Sequence, residues 1–120
     1  MTINHFNDDL YALIKAFEKS PVRNVLLILP DCLNRHAVII QLLALADNPK
    51  MMGAGAVLLF DNRVLTLKNE SQFNPAGKGW GDVYLFDFSH YDDAEELCQK
   101  ISVYNCNKGA MCLFGSYKND

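Results

Sequence analysis

Asp31, Asp87, Ser89 and His90 have side chains and positions suited to acid, base or nucleophilic chemistry. Asp87, Ser89 and His90 fall together where an apolar run over 83–88 ends. Asp31 closes a second apolar run over 24–29, and Ser116 follows a third over 110–114. A Ser, His and Asp set can carry acyl transfer, with the hydroxyl as nucleophile, the imidazole as base and the carboxylate orienting it. Enzymes of that kind on α/β sheets expose the serine on a G-x-S-x-G elbow, and the chain contains no such segment. Ser89-His90 ahead of Asp92 equally fits a helix cap followed by a surface histidine. Cys32 and His36 have i, i+4 spacing and share a helix face if the helix begins early enough. A metal needs two further ligands. No matching pair is present, so neither a metal nor another cofactor is expected.

The elements that would position these residues are legible from periodicity. Asn7 is expected to cap a first helix, with Asp8 and Asp9 in its first turn. Leu10, Leu13, Ile14 and Phe17 form its apolar stripe, and Ser20-Pro21 ends it. Residues 24–29 read as a strand covered on both faces. A second helix is expected over about 33–46, capped by Asp31 or Asn34, with Val38, Leu42 and Leu45 on one face and Ile39 and Leu43 beside it. Residues 51–55 read as a loop. Strands over 56–60 and 63–67 flank Asp61-Asn62, a hairpin signal. Residues 83–88 make the pivotal strand, with Asp87 at its carboxyl end, where open α/β sheets place their sites. A third helix opens at Asp92 and Asp93 with Leu97 and Ile101 inward, and 105–109 turns the chain into a last strand.

The expected fold is α/β, a single domain over 1–120. It is a small three-layer sandwich: a mostly parallel sheet of about five strands, one antiparallel hairpin and helices on both faces. Half the residues are apolar and the formal charge is −3. That charge disfavours a nucleic-acid partner. No apolar run approaches the roughly 18 residues of a membrane span. The N-terminus lacks a basic-then-apolar leader, so a cytoplasmic location is expected. The four cysteines include no C-x-x-C pair and read as reduced, structural thiols.

The stretch 68–81 is long for a connection and contains glycine and proline, which suggests a functional or mobile loop. Phe73, Lys78 and Trp80 lie in it, and Arg63 lies near in sequence. Aromatic and cationic side chains on a loop suit a protein partner. These four are the expected partner-binding residues, with Trp80 as anchor.

Residues 24–30 and the helix from Leu33 resemble the strand and helix that follow the P-loop helix in helicase- and terminase-type ATPases. Arg63-Val64-Leu65-Thr66-Leu67-Lys68-Asn69-Glu70-Ser71, then 77–87, resemble their Asn-Gly-Ser strand leading into a Walker B strand. Residues 112–116 are similar in position to the strand after Walker B. The resemblance spans about 22–116 and implies that Asp87 is the metal-coordinating carboxylate. The departures are a missing G-x-x-x-x-G-K-[ST] loop, Glu70 in place of the glycine, and Phe88 where those enzymes have the glutamate that activates water. What the resemblance implies is a pared-down relative that does not hydrolyse ATP.

The sequence therefore favours a non-enzymatic interaction or regulatory module that binds a protein partner. The alternatives are a small enzyme or nucleotide-binding domain using Asp31, Asp87, Ser89 and His90, and a nucleic-acid-binding accessory protein.

Overall fold

A computed structural model describes residues 3–53, 55–60, 62–74, 80–103 and 109–115. The spine is β2 (Asn24–Leu29), an unbroken β-branched and leucine run whose side chains alternate between two apolar layers. It pairs in parallel with β5 (Arg63–Asn69) on one side and β6 (Asp82–Phe86) on the other. Next to β6 come β7 (Met111–Phe114) and, at the edge, β1 (Ile3–Phe6), both parallel. Beyond β5, β4 (Ala56–Leu59) and β3 (Lys50–Gly53) form an antiparallel extension. The result is one seven-stranded sheet of order β1-β7-β6-β2-β5-β4-β3.

Handedness dictates which face each connection covers. The crossovers through α1 (Leu10–Lys19) and α2 (Arg35–Leu45) both run from the β1 side toward the β5 side. Right-handed crossovers running one way must lie on one face. Leu13, Phe17, Val38 and Leu42 accordingly share a core with Val25, Leu27, Leu29 and Tyr84. The connections β5 to β6 and β6 to β7 run back the other way. The second carries α3 (Ala94–Val103), whose Leu97 and Ile101 pack with Leu26, Ile28, Val83 and Leu85 on the opposite face.

The same rule accounts for the long stretch 68–81. Parallel strands β5 and β6 flank β2, so the chain needs a crossover of about a dozen residues between them. Lys68 and Asn69 complete β5, Glu70–Gln72 forms a 3-10 turn, and Phe73 and Trp80 pack partly buried on the second core. Gly81 is fixed by close approach: its N–H donates to Asn24 O at 3.0 Å, and a Cβ would lie 2.6 Å from Val22 Cβ.

Other expectations are corrected. The sheet has seven strands, not about five. Both extra strands are four residues long, and β3 is exposed throughout, so neither imprints a period on the sequence. Residues 51–53 are thus strand, held by backbone pairing to β4 despite the weak β propensity of Lys-Met-Met-Gly, and Ala54 lies outside the described residues. Because β1 runs to Phe6, the α1 cap moves from Asn7 to Asp9, whose carboxylate accepts from Ala12 N at 2.6 Å. Asn34, not Asp31, caps α2, and Leu45 is half exposed rather than core. The pivotal strand ends at Phe86, because Asp87 turns left-handed (φ 58°) and sends Phe88 into the second core.

Candidate functional site

The connections leaving β2 and β6 depart in opposite directions, α2 toward β3 and α3 toward β7. A doubly wound sheet opens a crevice at such a reversal, beyond the carboxyl ends of its strands. Asp31 leaves β2, Glu70 leaves β5, and Asp87 leaves β6. Asp8, in the turn between β1 and α1, also comes to this end.

Asp87, Asp8 and His90 form the tightest cluster. Nδ1 of His90 is hydrogen-bonded to Asp87 Oδ1 at 2.5 Å, and His90 N donates to Asp87 O at 2.9 Å. The Asp8 carboxyl is hydrogen-bonded to Asp87. Partial burial, then the hydrogen bond to the Asp87 side chain and its charge, raise the Asp8 carboxyl to about 6, against smaller opposing contributions from the Asp87 backbone and His90. Two carboxyls sharing one site cannot both ionise freely, so this pair is poised to hold a proton. Among the described residues, these three side chains do not make a group able to hold a metal ion.

Asp31 has a different task. Its Oδ1 accepts from Ser71 N at 3.0 Å, joining the β2–α2 turn to the 3-10 turn after β5. Asn69 completes that junction by donating from Nδ2 to Pro30 O (3.2 Å) and Leu33 O (2.9 Å). Below it lies Tyr91, buried, with its hydroxyl donating to Ile28 O. Burial pushes the Tyr91 phenol up, and the Glu70, Asp87 and Asp31 charges push it further. Glu70 is itself raised by burial and by Asp31 and Asp92. The strand ends therefore carry a field of like charge.

Two cavities flank the start of α3. One, of about 440 Å³, is lined by Asp31, Glu70, Phe73, Asp93, Glu96 and Lys100 among others. The second, of about 590 Å³, lies between β1 and α3. Ser89 lines the second cavity and makes no hydrogen bond to His90, so no Ser-His-Asp relay is assembled among the described residues.

The remaining expected residues scatter. Arg63 is at the opposite end of the sheet, where one guanidinium nitrogen donates to Phe17 O (2.9 Å), Glu18 O (2.9 Å) and Ser20 O (2.7 Å). Trp80 is also toward that end, immediately before β6, and Phe73 lines the 440 Å³ cavity. Lys78 and Ser116 lie outside the described residues, as does Cys106. Cys32 precedes α2 and so does not share its face with His36. Burial pushes the Cys98 and Cys112 thiols up to about 11, which keeps them protonated. Asp8 is the site residue that sequence reasoning placed only as a helix-dipole partner. The four residues Ile3-Asn4-His5-Phe6 carry no clear period that would signal β1, and with β1 in place Asp8 belongs to a strand-end turn.

No protein-family model and no curated protein sequence matches the chain. A solved structure does match: the large terminase of a thermophilic bacteriophage in complex with ADP, at a TM-score of 0.54 and 9% sequence identity. The match covers 95% of this chain and 33% of the terminase, so the chain spans a third of that protein's length. Over the matched length the two share an α/β fold.

Proposed function

We propose that the chain is a non-enzymatic interaction module that binds a protein partner on a P-loop-ATPase-like scaffold without hydrolysing nucleotide. The observation that carries this reading is the first strand-to-helix turn. In nucleotide-binding P-loops that turn offers backbone amides and a lysine to phosphate. Here it is Asn7-Asp8-Asp9. The Asp9 carboxylate already accepts from the Ala12 amide, and Asp8 stands against Asp87. Carboxylates at this point repel the triphosphate that the position would have to hold. Phe88, next to Asp87, is buried in the second core and has no proton to exchange with water.

A partner surface is supported by the apolar residues left open: Ile40 is 66% and Met52 56% exposed. Phe73 and Trp80 add aromatic surface on the other face. The acidic strand ends and net charge of −3 weigh against nucleic acid.

Calorimetry with Mg-ATP, alongside phosphate release, tests the proposal. The expected result is no heat of binding in the micromolar range and no turnover. Saturable binding that Asp87→Ala abolishes would overturn it. A second reading, a small enzyme using Asp8, Asp87 and His90 for proton transfer, is favoured by the raised Asp8 carboxyl. It requires a substrate whose turnover Asp8→Asn removes without unfolding the protein.

A further inference from the structure

We infer that the groove between β1 and α3 is the docking site for a basic, amphipathic segment of a partner protein, apolar side chains down and Lys or Arg toward the first turn of α3. This rests on the protein-binding reading above and names the surface and the chemistry of the partner.

A parallel strand normally has both faces covered. Register puts Ile3 opposite Met111 and His5 opposite Leu113, so these β1 residues point to the α3 face. The α3 helix packs over β6, β7 and β2 and stops short of β1. Ile3 is left 49% exposed at the sheet edge. Between Ile3 and α3 lies the cavity of about 590 Å³, its walls including Leu113, Phe88, Ala94 and Cys98. That volume is large enough to take a few large apolar side chains.

The rim fixes the occupant's charge. Asp92, Asp93 and Glu95 border the groove, and among the described residues no Lys or Arg lines it. Asp93 is partly committed, since its Oδ1 accepts from Glu96 N at 2.9 Å as the helix cap. Its charge nonetheless adds to those of Asp92 and Glu95. Across the α3 N-terminus the acidic surface continues through Glu96, Glu70 and Asp31, relieved by Lys100 alone among the described lining residues. An apolar floor under a one-sided acidic rim is complementary to a helix with leucine-like side chains on one face and lysines beside it. A second copy of this chain would bring the same acidic rim against itself.

The probe is a synthetic Leu/Lys peptide with its leucines on one helical face, followed by fluorescence anisotropy and by amide chemical-shift mapping on the intact chain. Binding is expected with a Kd on the order of 10 µM at low salt, weakening as salt rises. The shifts should map to Ile3, Leu113, Ala94 and Cys98. A Leu/Glu peptide, and a scrambled Leu/Lys peptide without an apolar face, should not bind. Ile3→Asn and Glu95→Lys, both at exposed positions, should each weaken binding roughly tenfold without lowering the melting temperature. Shifts confined to residues outside the groove, equal binding of the scrambled peptide, or a concentration-dependent dimer abolished by Ile3→Asn would each overturn the inference. If the peptide fails while Mg-ATP still does not bind, the groove assignment falls and the module reading stands.

Discussion

The amino ends of the parallel strands and their carboxyl ends are built from similar side chains, used in opposite ways. At the amino ends Asp82 and Arg63 meet partners of complementary polarity. Asp82, 7% exposed, accepts from the Ser20 hydroxyl at 2.7 Å and from Ala110 N at 2.8 Å. Arg63 closes the carbonyls that end α1, where a cation also complements the helix dipole. Gly109 is needed there, since a Cβ would lie 2.0 Å from Asp82 Oδ1. At the carboxyl ends carboxylates face carboxylates: Asp8 against Asp87, and Glu70 near Asp31. Asp87 also sits in a left-handed conformation that costs a non-glycine residue energy. The first arrangement serves stability. The second sacrifices some of it, which is the usual mark of a surface kept for a task.

If that contrast is right, substitutions at the two ends should shift stability in opposite directions. The largest loss is expected at Asp82. Asp82→Ala leaves the Ser20 hydroxyl and the Ala110 amide without their acceptor inside the structure, a cost of about 3 kcal/mol in urea unfolding. Asp82→Asn, which retains one acceptor oxygen, should lose about half as much. A loss below about 1 kcal/mol for the alanine variant would mean that these bonds are replaced by solvent and that the amino end is no latch.

Arg63→Ala comes next, at about 2 kcal/mol, because three carbonyls lose one charged donor and Phe17 and Phe60 lose the cation above them. Arg63→Lys should recover part of this. An unchanged unfolding midpoint for Arg63→Ala would show the clamp to be incidental, leaving Arg63 free for the partner role its sequence position suggested.

At the other end Asp87→Asn should cost nothing and gain a few tenths of a kcal/mol at neutral pH. Asparagine tolerates the left-handed conformation, and the substitution removes a charge facing Asp8. A loss above about 1 kcal/mol would mean that the bond to His90 needs the carboxylate and outweighs the repulsion.

Much of the framework was legible in the residues, because long apolar periods survive any tertiary context. The run 24–29, the stripe Leu10-Leu13-Ile14-Phe17 and the inward pair Leu97-Ile101 all lie where their spacing put them. Edge strands β1 and β3 were missed since four residues, mostly exposed, hold too little pattern. That omission carried over to the site. Without β1, Asp8 is a helix-dipole residue; with it, Asp8 lies across from Asp87. The strand-end position of Asp87 was readable from its run, but its partner came from a strand far away in sequence. In the stretch 68–81, Lys68 and Asn69 belong to β5, and the length of the connection follows from β5 and β6 lying on either side of β2, which only the topology reveals.

The smallest expected effect is the most diagnostic. Asp8 is raised from 3.8 to about 6 in the folded chain. Between those values the folded protein holds a proton that the unfolded chain has released. By linkage, stability then falls as pH rises through this window, and the loss is complete above about 6. Asp8→Asn removes the titrating group. The variant and the parent should therefore be nearly equal in stability below about pH 3, where Asp8 is largely protonated in both states. The variant should become the more stable as pH rises, levelling off near neutrality at a few tenths of a kcal/mol, the scale of partly exposed charges. Paired melting curves across that range measure the difference directly and cancel the titration of carboxylates remote from the Asp8–Asp87 pair. High salt should shrink the gap. A gap independent of pH, or a variant less stable at neutral pH, would mean that Asp8 and Asp87 do not contend for one proton, and the contrast between the two ends of the sheet would lose its clearest term.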